Sequence, residues 1–362
     1  MSIELTAVES GAPPATSSAA SAARFSPTAH IKGLDTLRIV LASWVVLAHI
    51  PPPWPVESRV IKGVLGNLFT GHAAVLVFFI VSGFCIHIAT RDRQLDLKSY
   101  FMRRQIRIVL PLLVLCLIGY LLGSFRFKAV LWSLVCEEIY YVAYPLALSF
   151  RRRCSSWYPV LGAATAVSLT ILLLTSHQGL PPQSGYGLTA AFLYPAWLLG
   201  CVLAEQVGRI PAWRHGWTGI WAFRLIMWGI SSVLSVIRWH SSISETWFLL
   251  PFCLLSYYWL RCEIAYFRQY PPPAFMEKLG SGSYTVYLTH MIAPALAAAL
   301  GLPAILDSYS ATPGRVESSM PGWFVVIGLV ALFSTAFYLL VERPAHRLAK
   351  AVGNRLAPSK TT

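Results

Sequence analysis

Charge is what this chain has least of. Only 12% of its 362 residues are Asp, Glu, Lys or Arg, while 56% are hydrophobic; an ordinary soluble domain carries about a quarter charged residues. So few charges cannot clothe a water-facing surface, which excludes a soluble globular enzyme. Acidic residues are the scarcer kind, 15 against 29 basic ones, for a net charge of +14. The excess does not mark a nucleic-acid binder, because the basic residues stand in short blocks between apolar runs. That spacing suits positive-inside membrane topology and contact with anionic lipid or an anionic ligand. Also lacking are a CxxC pair and any metal-like Cys/His spacing among the seven cysteines. They read as small packing residues, and no metal is expected. Residues 1–30 are rich in Ser, Ala and Pro, with Arg24 as the one basic residue. They lack the charged-then-apolar order of a signal peptide and are expected to form a disordered cytoplasmic tail.

What the chain does have is apolar segments of about 17–22 residues, long enough to cross a bilayer core. Ten can be placed, near 34–51, 72–90, 105–123, 131–149, 157–175, 187–205, 217–237, 243–261, 282–301 and 321–341. The expected fold is an all-α polytopic membrane protein of about ten transmembrane helices, with a membrane domain over 31–350 and a second tail over 351–362. Orientation follows from Lys and Arg. With the N-terminus inside, 21 of the 29 fall on the inner side and six outside (Arg59, Lys62, Arg126, Lys128, Arg238 and Arg315), while Arg38 and Arg224 lie within spans. This asymmetry predicts an N-in, C-in chain. The connecting loops are short, so any chemistry must take place inside the bundle, and no internal repeat points to an inverted-repeat transporter.

Ionisable residues inside a span are costly and mark function by default. Arg38 and His49 both lie in the first segment, eleven residues apart. On a helix that is almost three whole turns, one face and about 16 Å along the axis. Arg38 is thereby expected near the cytoplasmic face and His49 near the outer one. Asp35 falls within about 40° of the same face and can pair with Arg38, leaving His49 as the titratable member; a purely structural Asp–Arg pair is the plainer reading. In the fourth segment Glu137 and Glu138 are expected close to the depth of His49. Adjacent residues diverge by about 100° on a helix, so one of the two should face the imidazole and orient it. An ion pair with an outer-loop Lys or Arg is the alternative. Arg104 and Arg107 share a helix face at the inner start of the third segment, where their forks suit phosphate oxygens. Ser82 and Gly83 are small residues in mid-span that permit close helix contact. Ser82 has no neighbouring His or acid in sequence, and so is not read as a nucleophile. His290, in the ninth segment, fits a site residue and a packing hydrogen bond equally well. Glu342, before Arg343 and Pro344, reads as a structural charge at a helix stop.

Together these segments resemble the acyltransferase 3 family of integral membrane acyltransferases. Leu34-Asp35-Thr36-Leu37-Arg38 with His49 is similar to the family's opening pattern, with Thr36 in place of a usual Gly. Phe78-Phe79-Ile80-Val81-Ser82-Gly83-Phe84, Arg104 with Arg107, and Trp132-Ser133-Leu134 with Glu137 and Tyr141 follow in order. Tyr140 replaces a Phe and Ile139 a common Gln. Ser283-Tyr284 with Tyr287, Leu288 and His290, then Glu342-Arg343-Pro344, complete six motifs in register. The resemblance implies transfer of an acyl group, usually acetyl, from cytoplasmic acyl-CoA to a hydroxyl of an extracytoplasmic carbohydrate such as O-antigen or exopolysaccharide. The chain would sit in a bacterial inner membrane, work beside polysaccharide biosynthesis machinery and hold no permanent cofactor. Arg104 and Arg107 would meet the CoA phosphates, and Arg38 would guide the CoA arm or stabilise developing negative charge. His49 would act as general base or as transient acyl carrier, with Glu137 orienting it; Asp35, Glu138, Ser82 and His290 are secondary candidates. The rival readings are a transporter or flippase of a polar solute, whose pathway the same charges would line, and an acyltransferase for a lipid or small-molecule acceptor.

Overall fold

The computed structural model describes residues 31–54, 56–92, 94–175, 185–299 and 320–356, and among them every regular element is helical. Seven helices are long and apolar enough to cross a membrane. They are α3 (Gly71–Thr90), α4 (Leu97–Leu121), α6 (Tyr158–Thr175), α7 (Tyr186–Gln206), α8 (Gly216–His240), α9 (Thr246–Gln269) and α13 (Met320–Phe337). The other three predicted spans differ for physical reasons. The first is α1 (Leu34–His49), only 16 residues long. The fourth is α5 (Lys128–Cys154), continuous but carrying Glu137, Glu138 and Arg151–Arg153. The ninth is broken into α11 (Ser283–Thr289) and α12 (Ala293–Ala299). The break precedes Pro294, which has no N–H to extend the ladder back to the His290 carbonyl. These three segments carry His49, Glu137 and His290, so departures from an ideal span coincide with the ionisable residues.

The best-buried helices are α3 and α7, and their crossing is set by two glycines. A Cβ on Gly83 would lie 2.0 Å from the Trp197 carbonyl oxygen, and one on Gly200 would lie 2.0 Å from that of Ile80. The two backbones therefore touch, as the small residues at Ser82-Gly83 suggested. Fourteen of the 21 residues of α7 are buried, which makes it the bundle's central post. Around it, α8 and α9 are clasped by Arg224, whose Nε and Nη2 donate to the two oxygens of Glu263 at 2.7 and 2.8 Å. Glu263 is fully buried and also accepts the Trp259 indole N–H at 2.9 Å. The charge of Arg224 is thus answered by a bidentate partner.

Two further carboxylates cap helices other than their own. Glu277, on the short α10 (Ala274–Gly280), accepts from the backbone N–H groups of Gly33 and Thr36 at 3.1 Å each, and from the Thr36 hydroxyl at 2.6 Å. It thereby satisfies the exposed start of α1 and uses the Thr36 that stands where the resembled pattern has Gly. Glu277→Ala should cost about 1–2 kcal/mol and lower the melting temperature of the detergent-solubilised protein, with Glu277→Gln falling between. Glu342, fully buried at the end of a π-helical turn (Tyr338–Glu342), accepts the backbone N–H of Thr285 at 3.2 Å and the Thr285 hydroxyl. It holds the first turn of α11, a structural role; the helix stop expected at Glu342-Arg343-Pro344 does not form, because Pro344 falls in the first turn of the next helix, where a missing N–H is tolerated. The chain continues into α14 (Arg343–Leu356), which packs on α4, where Ser99 donates to the Gly353 carbonyl at 2.8 Å and Arg103 to Asn354 at 3.0 Å.

Candidate functional site

Two cavities lie back to back beside α1. The first, about 200 Å³, is lined by Arg38, Arg104, Arg107, Ser82, Glu137 and Tyr141; it is called the arginine chamber below. The second, about 270 Å³, is lined by His49, His72, Arg238 and Trp132; it is the histidine chamber. Val75 and Tyr287 line both. The first helix serves the two chambers from opposite ends, because eleven residues of helix separate Arg38 from His49 along one face.

In the arginine chamber Arg38 pairs with Asp35 at 3.3 Å, the i,i+3 contact expected from their spacing. Arg104 lies over the Tyr141 ring, 5.3 Å from its centroid, and Arg107 joins it one turn further on. Glu137 shares the cavity. Its Oε1 accepts from the Ser82 hydroxyl at 2.5 Å and from the Tyr141 hydroxyl, while the Trp197 indole donates to Ser82 at 3.3 Å. Three guanidiniums thus line one cavity with a carboxylate whose oxygen is already held by two hydroxyls. Such a balance favours an anionic ligand with several acceptor oxygens. Glu138 points away, as the 100° step requires. It takes the Gln105 amide at 2.7 Å and lines an apolar groove with Ile139, Val142 and Leu146.

In the histidine chamber the hydrogen bonds fix the tautomers. His290 is buried, and its Nδ1 lies 2.8 Å from the Tyr287 carbonyl, so Nδ1 carries the proton and Nε2 is an acceptor. That Nε2 lies 3.3 Å from Nδ1 of His49, which also reaches the Val45 carbonyl at 2.9 Å. His49 Nδ1 therefore donates to both, which leaves its Nε2 as a free base on an exposed ring. The structure does not bring Glu137 to His49: the two line different chambers, and the groups that orient the imidazole are Val45 and His290. His290 makes a packing hydrogen bond to its own helix and also touches His49. The break between α11 and α12 turns its ring toward α1.

Three residues here escaped the sequence reading. His72 Nδ1 lies 3.2 Å from Glu245 Oε1, and Arg238 Nη1 donates to the same oxygen. Trp132 packs on the His72 ring with centroids 5.5 Å apart. His72 opens α3, Arg238 closes α8 and Glu245 precedes α9. Each looked like an ordinary charge at a helix end, and only the meeting of three ends makes a cluster.

Fold and site together define a polytopic membrane protein whose ionisable residues are gathered around internal chambers. The acyltransferase 3 family model, described as an acyltransferase domain, matches residues 31–341. The chain belongs to this family and is a membrane acyltransferase. No curated protein and no solved structure matches it.

Proposed function

We propose that the protein transfers an acyl group, most simply acetyl, from cytoplasmic acyl-CoA to a hydroxyl of an extracytoplasmic or lipid-linked carbohydrate such as exopolysaccharide or O-antigen. In this reading ten segments cross the inner membrane of a bacterial cell with both termini inside, α1, α5 and the α11–α12 pair included. The distribution of Lys and Arg supports that orientation. It sets the arginine chamber toward the cytoplasm and His49 toward the acceptor side.

The observation that carries the proposal is the pair of adjoining chambers, one rich in arginine and one holding a histidine of fixed tautomer. Phosphates of acyl-CoA bind Arg104 and Arg107, and the CoA arm passes Arg38 so that the thioester approaches His49. His49 Nε2 takes the proton of the acceptor hydroxyl, and the hydroxyl oxygen attacks the thioester carbon. The C–S bond then breaks, the imidazolium returns its proton to the CoA thiolate, and the acyl ester leaves with the sugar. A two-step route in which Nε2 itself carries the acyl group uses the same residues. Glu137, tied to Ser82 and Tyr141, lines the donor chamber beside the guanidiniums.

The test is protein in bilayer nanodiscs supplied with acetyl-CoA and candidate glycans, read by free-thiol release and by the mass of the glycan. A transporter would bind its solute and release no thiol; a lipid or small-molecule acyltransferase would release thiol with the added mass elsewhere. Either result overturns the carbohydrate reading. Arg104→Gln and Arg107→Gln should each raise the KM for acyl-CoA about tenfold or more with kcat little changed, the effect of losing one charged phosphate contact. If these residues only anchored the helix end, protein levels would fall and the KM would not move.

A further inference from the structure

The two chambers are separate spaces, yet the proposed reaction needs an acyl group from one to meet the base in the other. Their linings have two residues in common, Val75 and Tyr287. Val75 is short and buried. Tyr287 is large, half-buried and held by its tip: its hydroxyl lies 2.6 Å from Ser133 Oγ and 3.3 Å from the Val130 carbonyl. Ser133 itself donates to the Val130 carbonyl at 3.0 Å. The two hydroxyls share one short hydrogen bond and both reach the Val130 carbonyl, which latches α11 onto the first turns of α5. The ring has Phe78 on one side, with centroids 6.0 Å apart, and His290 on another, at 6.2 Å. The carbonyl of the same residue receives the His290 proton. One residue thus both partitions the chambers and anchors the tautomer of the histidine that orients His49.

We infer that Tyr287 is the specificity residue of this transfer, a latched partition that decides which acyl groups reach His49 and keeps water off the thioester until they do. The inference rests on the acyl-CoA reading above. The need for a partition follows from the chemistry. A His49 able to take a proton from a sugar hydroxyl takes one as readily from water. Water attack would form a C–O bond at the acyl carbon, break the C–S bond and pass its proton to the CoA thiolate, leaving a free acid and CoA thiol. The ring can turn about its side-chain torsions without moving its backbone, so opening the partition need not disturb the lock on His290. In the latched position its ring also forms, with Phe78, part of the apolar wall of the arginine chamber, against which an acyl chain would lie.

Two variants from different helices release the same latch. Tyr287→Phe keeps the ring and loses the hydroxyl; Ser133→Ala removes the nearer of its two partners and leaves the Val130 carbonyl at 3.3 Å. Both should raise acceptor-free hydrolysis of acetyl-CoA about fivefold, the equilibrium weight of one hydrogen bond, with KM for acetyl-CoA unchanged. Tyr287→Ala should shift the ratio of kcat/KM for butyryl-CoA over acetyl-CoA upward by about tenfold, the discrimination expected of one or two methylenes in an apolar pocket. A merely structural Tyr287 would change none of these ratios, only the amount of folded protein. Wild-type hydrolysis rates in both latch variants, together with an unaltered chain-length ratio in Tyr287→Ala, would overturn the inference and leave the acyltransfer reading standing. A wild-type protein that releases no thiol with any acceptor would overturn both.

Discussion

Replacing His49 by Gln should lower acyl transfer by about a thousandfold, within the range that a positioned general base supplies, and leave the KM for acyl-CoA nearly unchanged. The separation of the two constants is the informative part. The arginines proposed to meet the donor line one chamber and the imidazole lines the other, so loss of the base should not weaken donor binding. Gln keeps the side chain polar and near the same length, and only one of the ring's bonds, that to His290, reaches another helix, so the bundle should fold. His290→Ala is the companion measurement. It removes the acceptor at 3.3 Å from His49 Nδ1 but leaves the Val45 carbonyl at 2.9 Å. Turnover should therefore fall by only about tenfold, one orienting hydrogen bond's worth. Equal losses in both variants would mean that His290 contacts the reacting groups itself. Full activity in His49→Gln, measured on protein shown to be inserted and monodisperse, would move the chemistry away from α1.

The second large effect is on folding. Gly200→Ala places a methyl 2.0 Å from the Ile80 carbonyl oxygen and 2.5 Å from the Phe84 nitrogen. Those are backbone atoms in the middle of a helix and cannot step aside. The two helices must separate, and the buried faces of both lose their fit. A cost of about 3 kcal/mol, the upper end for overpacking, should appear as a lower melting temperature and a smaller monodisperse peak in detergent, with Gly83→Ala behaving alike. Gly229→Ala is the control: it lies in α8 with nothing within 4 Å of the added carbon. There the better helix propensity of Ala, about 1 kcal/mol, should leave stability equal or higher. If Gly200→Ala were as stable as Gly229→Ala, the α3–α7 crossing would be looser than the structure has it.

Much of the architecture was open to reading from local pattern, because hydropathy and helical period are properties of short windows. Most segment ends agree with the helices within a few residues; α4 begins at Leu97 and α9 ends at Gln269, both running on into polar flanks that a hydropathy window excludes. The ninth segment shows where a window fails. Its composition is apolar throughout, yet the helix ends at Thr289 and starts again at Ala293, just ahead of Pro294. The pairing of Asp35 with Arg38 was legible for the same reason as the helices, since i,i+3 neighbours meet on any helix. The bond between Ser82 and Glu137 was not, because 55 residues and two helix–helix contacts intervene.

The sequence by itself determined that this is a helical membrane protein, that Arg38 and His49 occupy one face of its first helix eleven residues apart, and that Arg104 and Arg107 share a face. Each of these follows from spacing along one helix. Tertiary structure alone decided the partners from other helices: Ser82 for Glu137, His290 for His49, Glu245 for His72, Ser133 for Tyr287. Those pairings depend on how closely helices approach and at what rotation. Here the approach is governed by two glycines at one crossing and the rotation by carboxylates that cap neighbouring helices, neither of which a window along the chain can see.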